Sequence, residues 1–237
     1  MHKRILILVL TVITILSTMA FAAESTTTAT EPARQEFTFS QDTVITEDNM
    51  NDILEYYGLN ASAAIKKNKP VNGLYYNKKV ATVRDLETAI KKLRQLPDTI
   101  TIHDDNPTGV KVTTNATSTS ESSSITVFYD SQVLTHFSVR YSASGKYYKN
   151  GTTKYWTEAY GGNITGLGSS GLPGTSYEIS KISKCTNTLK NGGTTSSYLQ
   201  LDYKYTVKSY VGVGDWSVPV TENTVEGFTR FGTSYIP

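Results

Sequence analysis

The sequence predicts an α+β protein: a small N-terminal helix-containing unit followed by an antiparallel β-sandwich or open barrel. Three observations lead there. Both stretches with a helical spacing of apolar residues fall before Pro97. From Ile125 onward apolar and polar residues alternate instead, the period of a half-buried strand. Turn-forming pairs such as Ser144-Gly145 and Asn150-Gly151 interrupt that second half at short intervals.

The chain opens with Lys3 and Arg4, an uncharged apolar run from Ile5 to Phe21, and small residues at Ala20 and Ala22. This three-part pattern predicts a signal peptide over 1–22, cleaved after Ala22, and a secreted, extracellular product. Residues 23–36, AESTTTATEPARQE, lack any apolar period and read as a disordered leader. Loss of Lys3 and Arg4 from the 23 basic residues leaves 21, equal to the 21 acidic ones. A neutral mature chain has no electrostatic attraction to nucleic acid or to anionic membrane, and no later segment reads as a membrane span. The C-terminus, Thr233 to Pro237, carries no apolar tail and predicts no anchor. Cys185 is the single cysteine, so no intrachain disulfide forms. A secreted chain of this size without disulfides points to a bacterial source. Four Asn-x-Ser/Thr triplets, at Asn60, Asn115, Asn150 and Asn163, pull the other way but are expected by chance in so Ser/Thr-rich a sequence.

Residues 37–112 form the small α+β unit. Its first helix is predicted to start at Thr46, with Glu47 and Asp48 in the first turn, an apolar stripe of Met50, Ile53, Leu54 and Tyr57, and Gly58 as its stop. The second starts at Thr82 with Asp85 three residues on, presents Leu86, Ala89, Ile90 and Leu93, and ends before Pro97. Between them Val71 to Val80 suits a short strand or hairpin, and Thr99 to Ile102 alternates as a strand. Residues 113–121, within the hydroxyl-rich run TTNATSTSESSS, read as a linker; the rival is a hairpin loop, because Val110, Val112, Ile125 and Val127 alternate around it. The antiparallel β domain occupies 122–237. Strands are predicted at 133–141, 153–160, 175–184, 199–207, 216–221 and 227–231, the clearest being Leu199, Leu201, Tyr203, Tyr205 and Val207 against Gln200, Asp202, Lys204 and Thr206. Residues 161–174, GGNITGLGSSGLPG, read as irregular.

Candidate chemistry is sparse. Gly166, Gly168 and Gly171 match a dinucleotide-binding pattern without the strand and helix it needs. Cys185 with His103 or His136 would require an electropositive setting, and only Lys184 is near in sequence. His103-Asp104-Asp105-Asn106 offers calcium-type ligands at consecutive positions, which diverge in an extended chain. The sequence therefore predicts no metal, no cofactor and no catalytic residue, although Asp130, Glu158, Asp202, Asp215 and Glu222 leave a paired-carboxylate hydrolase open.

Aromatic residues are the one enrichment. Only Tyr56, Tyr57, Tyr75 and Tyr76 of the 16 tyrosines precede residue 124, and both tryptophans follow it. Tyr147, Tyr148, Tyr155, Trp156 and Tyr160 cluster on one predicted hairpin and form the candidate ligand-binding set, with 161–174 as a rim. The rival account is cross-strand packing, since tyrosine favours strands. The expected role is a secreted non-catalytic extracellular binding or structural module that engages cell-wall glycan or a surface protein. A secreted hydrolase and a β-rich secreted toxin are the alternatives.

Overall fold

The computed structural model describes residues 38–66, 80–114, 122–134, 137–169, 174–190 and 197–237. The expected signal peptide (1–22), the expected leader (23–36) and most of the Val71–Val80 segment lie outside them, as do His136 and Gly171.

Helix α1 (Met50–Tyr56) begins later than Thr46 predicts. The Thr46 amide donates to Asn49 Oδ1 at 2.8 Å and Asn49 Nδ2 donates to the Val44 carbonyl at 3.0 Å, which holds 46–49 in a turn. The stop is as predicted. Gly58 has φ 64°, its amide donates to the Glu55 carbonyl, and the Leu59 amide donates to the Leu54 carbonyl, a Schellman closure. Helix α2 (Val83–Arg94) has Thr82 as N-cap in a reciprocal capping box with Asp85. Its buried face is Val83, Leu86, Ala89, Ile90 and Leu93.

Two sheets follow. The first has the order β3 (Lys111–Thr114), β4 (Ser122–Leu134), β5 (Phe137–Asn150), β6 (Thr153–Ser169), all antiparallel. The second runs β1 (Ile65–Lys66), β9 (Trp216–Phe231), β8 (Tyr198–Val213), β7 (Thr175–Lys190), and β2 (Thr99–Asp105) also pairs with β9, in parallel. The inward rows of both sheets meet in one core that includes Val127, Phe137, Val139 and Tyr141 from the first and Leu199, Leu201, Tyr203, Tyr205 and Val207 from the second. Val211 and Val213 continue the β8 row, and there Ile53, Leu54, Leu86 and Ile90 of the helices complete a second core. Tyrosine supplies an unusual share of the interior. Tyr141 and Tyr203 stack at 4.4 Å between centroids, and the hydroxyls of Tyr141 and Tyr205 hydrogen-bond at 2.6 Å. Burial pushes all three phenols up, that of Tyr203 to about 12.

Five further expectations are corrected. The unit at 37–112 and the domain at 122–237 are not separate, because Phe37–Pro237 is one compact unit in which β2 lies beside β9. That pairing depends on Gly227 (φ 151°), where a Cβ would stand 1.8 Å from the Ile102 carbonyl oxygen. The expected linker is a hairpin at both ends, with Val112 opposite Val127 and Thr114 opposite Ile125; residues 115–121 lie outside the described residues. The alternation of the flanking residues, not the hydroxyl-rich composition, decides this. The predicted strand at 133–141 spans a tight reversal, since β4 ends at Leu134 and β5 starts opposite it at Phe137. Finally, 161–169 is strand. At Gly162 a Cβ would fall 2.5 Å from Leu201 Cδ1 of the facing sheet, so glycine here lets two sheets approach rather than marking a loop. The segments 216–221 and 227–231 likewise belong to one strand, β9.

Candidate functional site

The β5–β6 hairpin carries all five predicted aromatic residues, with Tyr147 opposite Trp156 and Tyr148 opposite Tyr155. They do not share a face. Trp156 is 1% exposed and belongs to the core, and Tyr147 packs against that core. Tyr148 and Tyr155 point outward, half-buried, with ring centroids 5.1 Å apart. A register shift between Lys146 and Tyr147 keeps Glu158 outward as well, where it pairs with Lys146 at 2.8 Å. Tyr160 stands beyond that ion pair, opposite Ser144, and is 40% exposed. The outer face of the first sheet thus presents three tyrosines around one ion pair.

The rest of that face is polar and internally paired. Arg140 binds Asp130 in a two-pronged contact of 2.6 and 2.8 Å and lies over the Phe128 ring at 4.5 Å. The Arg140 hydrogen bond holds the Asp130 carboxyl below the usual carboxylate range. Thr126 and Ser144 join hydroxyls at 2.8 Å.

Trp156 has a different part to play. Its backbone amide donates to Ser197 Oγ at 2.8 Å and its indole Nε1 donates to the Gly232 carbonyl at 3.1 Å. Ser197 and Gly232 both line a cleft of about 410 Å³, together with Asp105, Asn106, Tyr198, Arg230, Thr233 and Ser234. Residue 156 thus holds two of the lining residues from within the core. Residues after β9 are fastened over it: the Gly232 amide donates to Asn106 Oδ1 (2.9 Å), the Tyr235 hydroxyl donates to the Pro107 carbonyl (2.6 Å), and Lys154 Nζ donates to the Ile236 carbonyl (2.8 Å).

Arg230 is the most constrained charge in the cleft. The parallel register sets Asp105 opposite Arg230 and His103 opposite Phe228. Arg230 Nη1 donates to Asp105 Oδ1 at 2.8 Å and Nε donates to Gln200 Oε1 at 2.9 Å. The guanidinium lies 4.3 Å from the Phe228 ring centroid and 5.1 Å from that of Tyr198, and His103 stacks on Phe228 at 4.6 Å. Sequence reasoning singled out His103 and Asp105 as calcium-type ligands and missed Arg230, Tyr198 and Phe228. No local signal joins them, because the pairing of β2 with β9 spans more than half the chain.

The other candidates disperse. Gly166 and Gly168 sit inside β6, and no α-helix follows them among the described residues. Burial pushes the Cys185 thiol up, the opposite of what a nucleophile requires. Glu158 pairs with Lys146, Asp202 with Lys184 at 3.9 Å and Glu222 with Lys208 at 2.9 Å, so these acids stand in charge ladders on the two outer faces. Asp104 is the exception: its Oδ2 is buried without a partner, and burial followed by the charge of Asp105 raises its carboxyl. Among the described residues no cluster of His, Cys, Asp and Glu could hold a metal ion, and no helix is long and apolar enough to cross a membrane. Comparison with known proteins finds no family model, curated sequence or solved structure that matches this chain.

Proposed function

We propose that the chain is a secreted, non-catalytic binding module that engages extracellular glycan through the outer face of its first sheet. The observation that carries this reading is the outward set Tyr148, Tyr155 and Tyr160 around the Lys146–Glu158 pair. Tyrosine rings on a pleated surface offer flat apolar faces to sugar rings, while the ion pair and neighbouring hydroxyls of Ser144 and Thr126 offer donors and acceptors. Trp156 and Tyr147 take no direct part, since both serve the core.

The test uses the chain from Ala23 to Pro237, which keeps the whole compact unit, against a glycan array and isolated bacterial cell walls. Saturable binding to a defined glycan is expected. Replacing Tyr148, Tyr155 and Tyr160 together by Ala removes three stacking contacts and is expected to weaken binding by more than about tenfold. Unchanged binding by that variant, or no binding to any glycan or wall preparation, refutes the proposal.

A further inference from the structure

We infer that the cleft at Arg230 is a second binding site, specific for a neutral sugar held through two adjacent hydroxyl groups. This extends the glycan-binding reading and uses none of the outward tyrosines, so the two sites fail separately.

The argument starts from the guanidinium. Its Nε and Nη1 are committed to Gln200 and Asp105, and no acceptor meets Nη2 among the described residues. The group lies over the rings of both Phe228 and Tyr198, so little side-chain freedom remains to be lost when a ligand binds. Asp105 gives Oδ1 to Arg230 and leaves Oδ2 without a partner among the described residues, on a side chain 60% exposed. The guanidinium therefore keeps one unspent donor and the carboxylate joined to it one unspent acceptor. A pair of neighbouring hydroxyls complements that arrangement: one accepts from Arg230 Nη2 and the next donates to Asp105 Oδ2.

Charge narrows the class further. Arg230 and Asp105 cancel, so an anionic ligand meets the carboxylate and a cationic one meets the guanidinium, whereas a neutral polyol meets neither penalty. The remaining lining suits a polyol as well. Asn106 spends its Oδ1 on the Gly232 amide and keeps its Nδ2 to donate, and Thr233 and Ser234 add hydroxyls. The volume of about 410 Å³ falls within the range of small-ligand sites.

Trp156 provides the readout, because its indole donates to a carbonyl of the lining, whereas Trp216 lies under Lys66 at the start of β9. The two tryptophans give two indole signals in a nitrogen–proton correlation spectrum. Methyl glycosides of glucose, galactose and mannose are titrated into the chain 23–237, with glucuronate and deoxy-glycosides lacking one of the adjacent hydroxyls as counterparts. At least one neutral glycoside is expected to shift the Trp156 indole and the Gly232 and Ser197 amides saturably, leave Trp216 in place, and bind equally at about 1 M salt. Arg230→Lys is expected to weaken it about tenfold. Asp105→Asn, a change at an exposed side chain, leaves the cleft net positive and is expected to switch its preference to glucuronate. The triple tyrosine variant is expected to keep the Trp156 shift. The inference is overturned if no glycoside moves the Trp156 signal saturably, if the unmodified chain prefers glucuronate, or if both cleft variants bind as the unmodified chain does.

Discussion

Tyr141 and Tyr148 stand on the same strand, β5, and meet opposite surroundings. Tyr141 is fully buried, stacked on Tyr203 and hydrogen-bonded to Tyr205 across the sandwich. Tyr148 points outward and pairs with Tyr155 at a half-buried surface. One amino acid thus builds both the centre of the molecule and its proposed contact face, and only the pleat separates the two uses. The difference teaches that tyrosine abundance is no guide to a site. What matters is which rings are left over once the inward rows are filled.

The comparison breaks most visibly at Trp156, which sits next to outward Tyr155 yet belongs wholly to the core. Trp156→Ala removes a buried ring and its indole hydrogen bond to the Gly232 carbonyl, and a loss of about 3–5 kcal/mol in denaturant unfolding is expected. Tyr155→Ala should lose far less in the same experiment.

Alkaline titration sharpens the contrast next. The folded chain holds the Tyr203 phenol up near 12, and burial raises Tyr141 and Tyr205 in the same direction. The unfolded chain releases these protons near the ordinary value of about 10. Their contribution is therefore complete below about pH 10 and falls as pH rises toward the folded values, by about 1.4 kcal/mol per pH unit for each tyrosine that keeps its proton. Phenolate absorbance from the buried set should grow together with loss of the β signal in circular dichroism. Smooth ionisation of every tyrosine in an intact fold would contradict the buried trio.

Tyr141→Phe probes the hydroxyl alone. It leaves the Tyr205 hydroxyl without its partner in the core and is expected to cost about 1–3 kcal/mol. At the small end, Tyr160→Ala on the outer face should stay within about 0.5 kcal/mol of the unmodified chain while weakening glycan binding. A large stability loss there would show that Tyr160 belongs with the structural tyrosines.

Much of the fold was legible where a local rule decides. Thr82 and Asp85 announced α2, Gly58 marked the end of α1, and the alternation from Leu199 to Val207 predicted the central strand. Errors gathered where partners distant in sequence decide. Gly162 reads as a loop residue until Leu201 of the other sheet is seen against it. The hydroxyl-rich segment reads as a linker until Val112 is seen opposite Val127. The candidate set was half legible for the same reason. Adjacent aromatic residues on a strand must face opposite ways, but the register shift at Lys146 and Tyr147 sets which ones do. The Arg230 cleft was not legible at all, since His103 and Asp105 of β2 and Tyr198 of β8 meet Arg230 only because both strands pair with β9.

That pairing also orders events in time. Strand β9 is the last of the described strands, yet β1 and β2 both find their partner in it, and α1 and α2 share their core with Val218 at its start. While the polypeptide is still being made, its early third has nothing to close against. Folding therefore depends on contacts of long sequence separation, which makes it slow. Segments that cannot lock before β9 emerges stay threadable until it does.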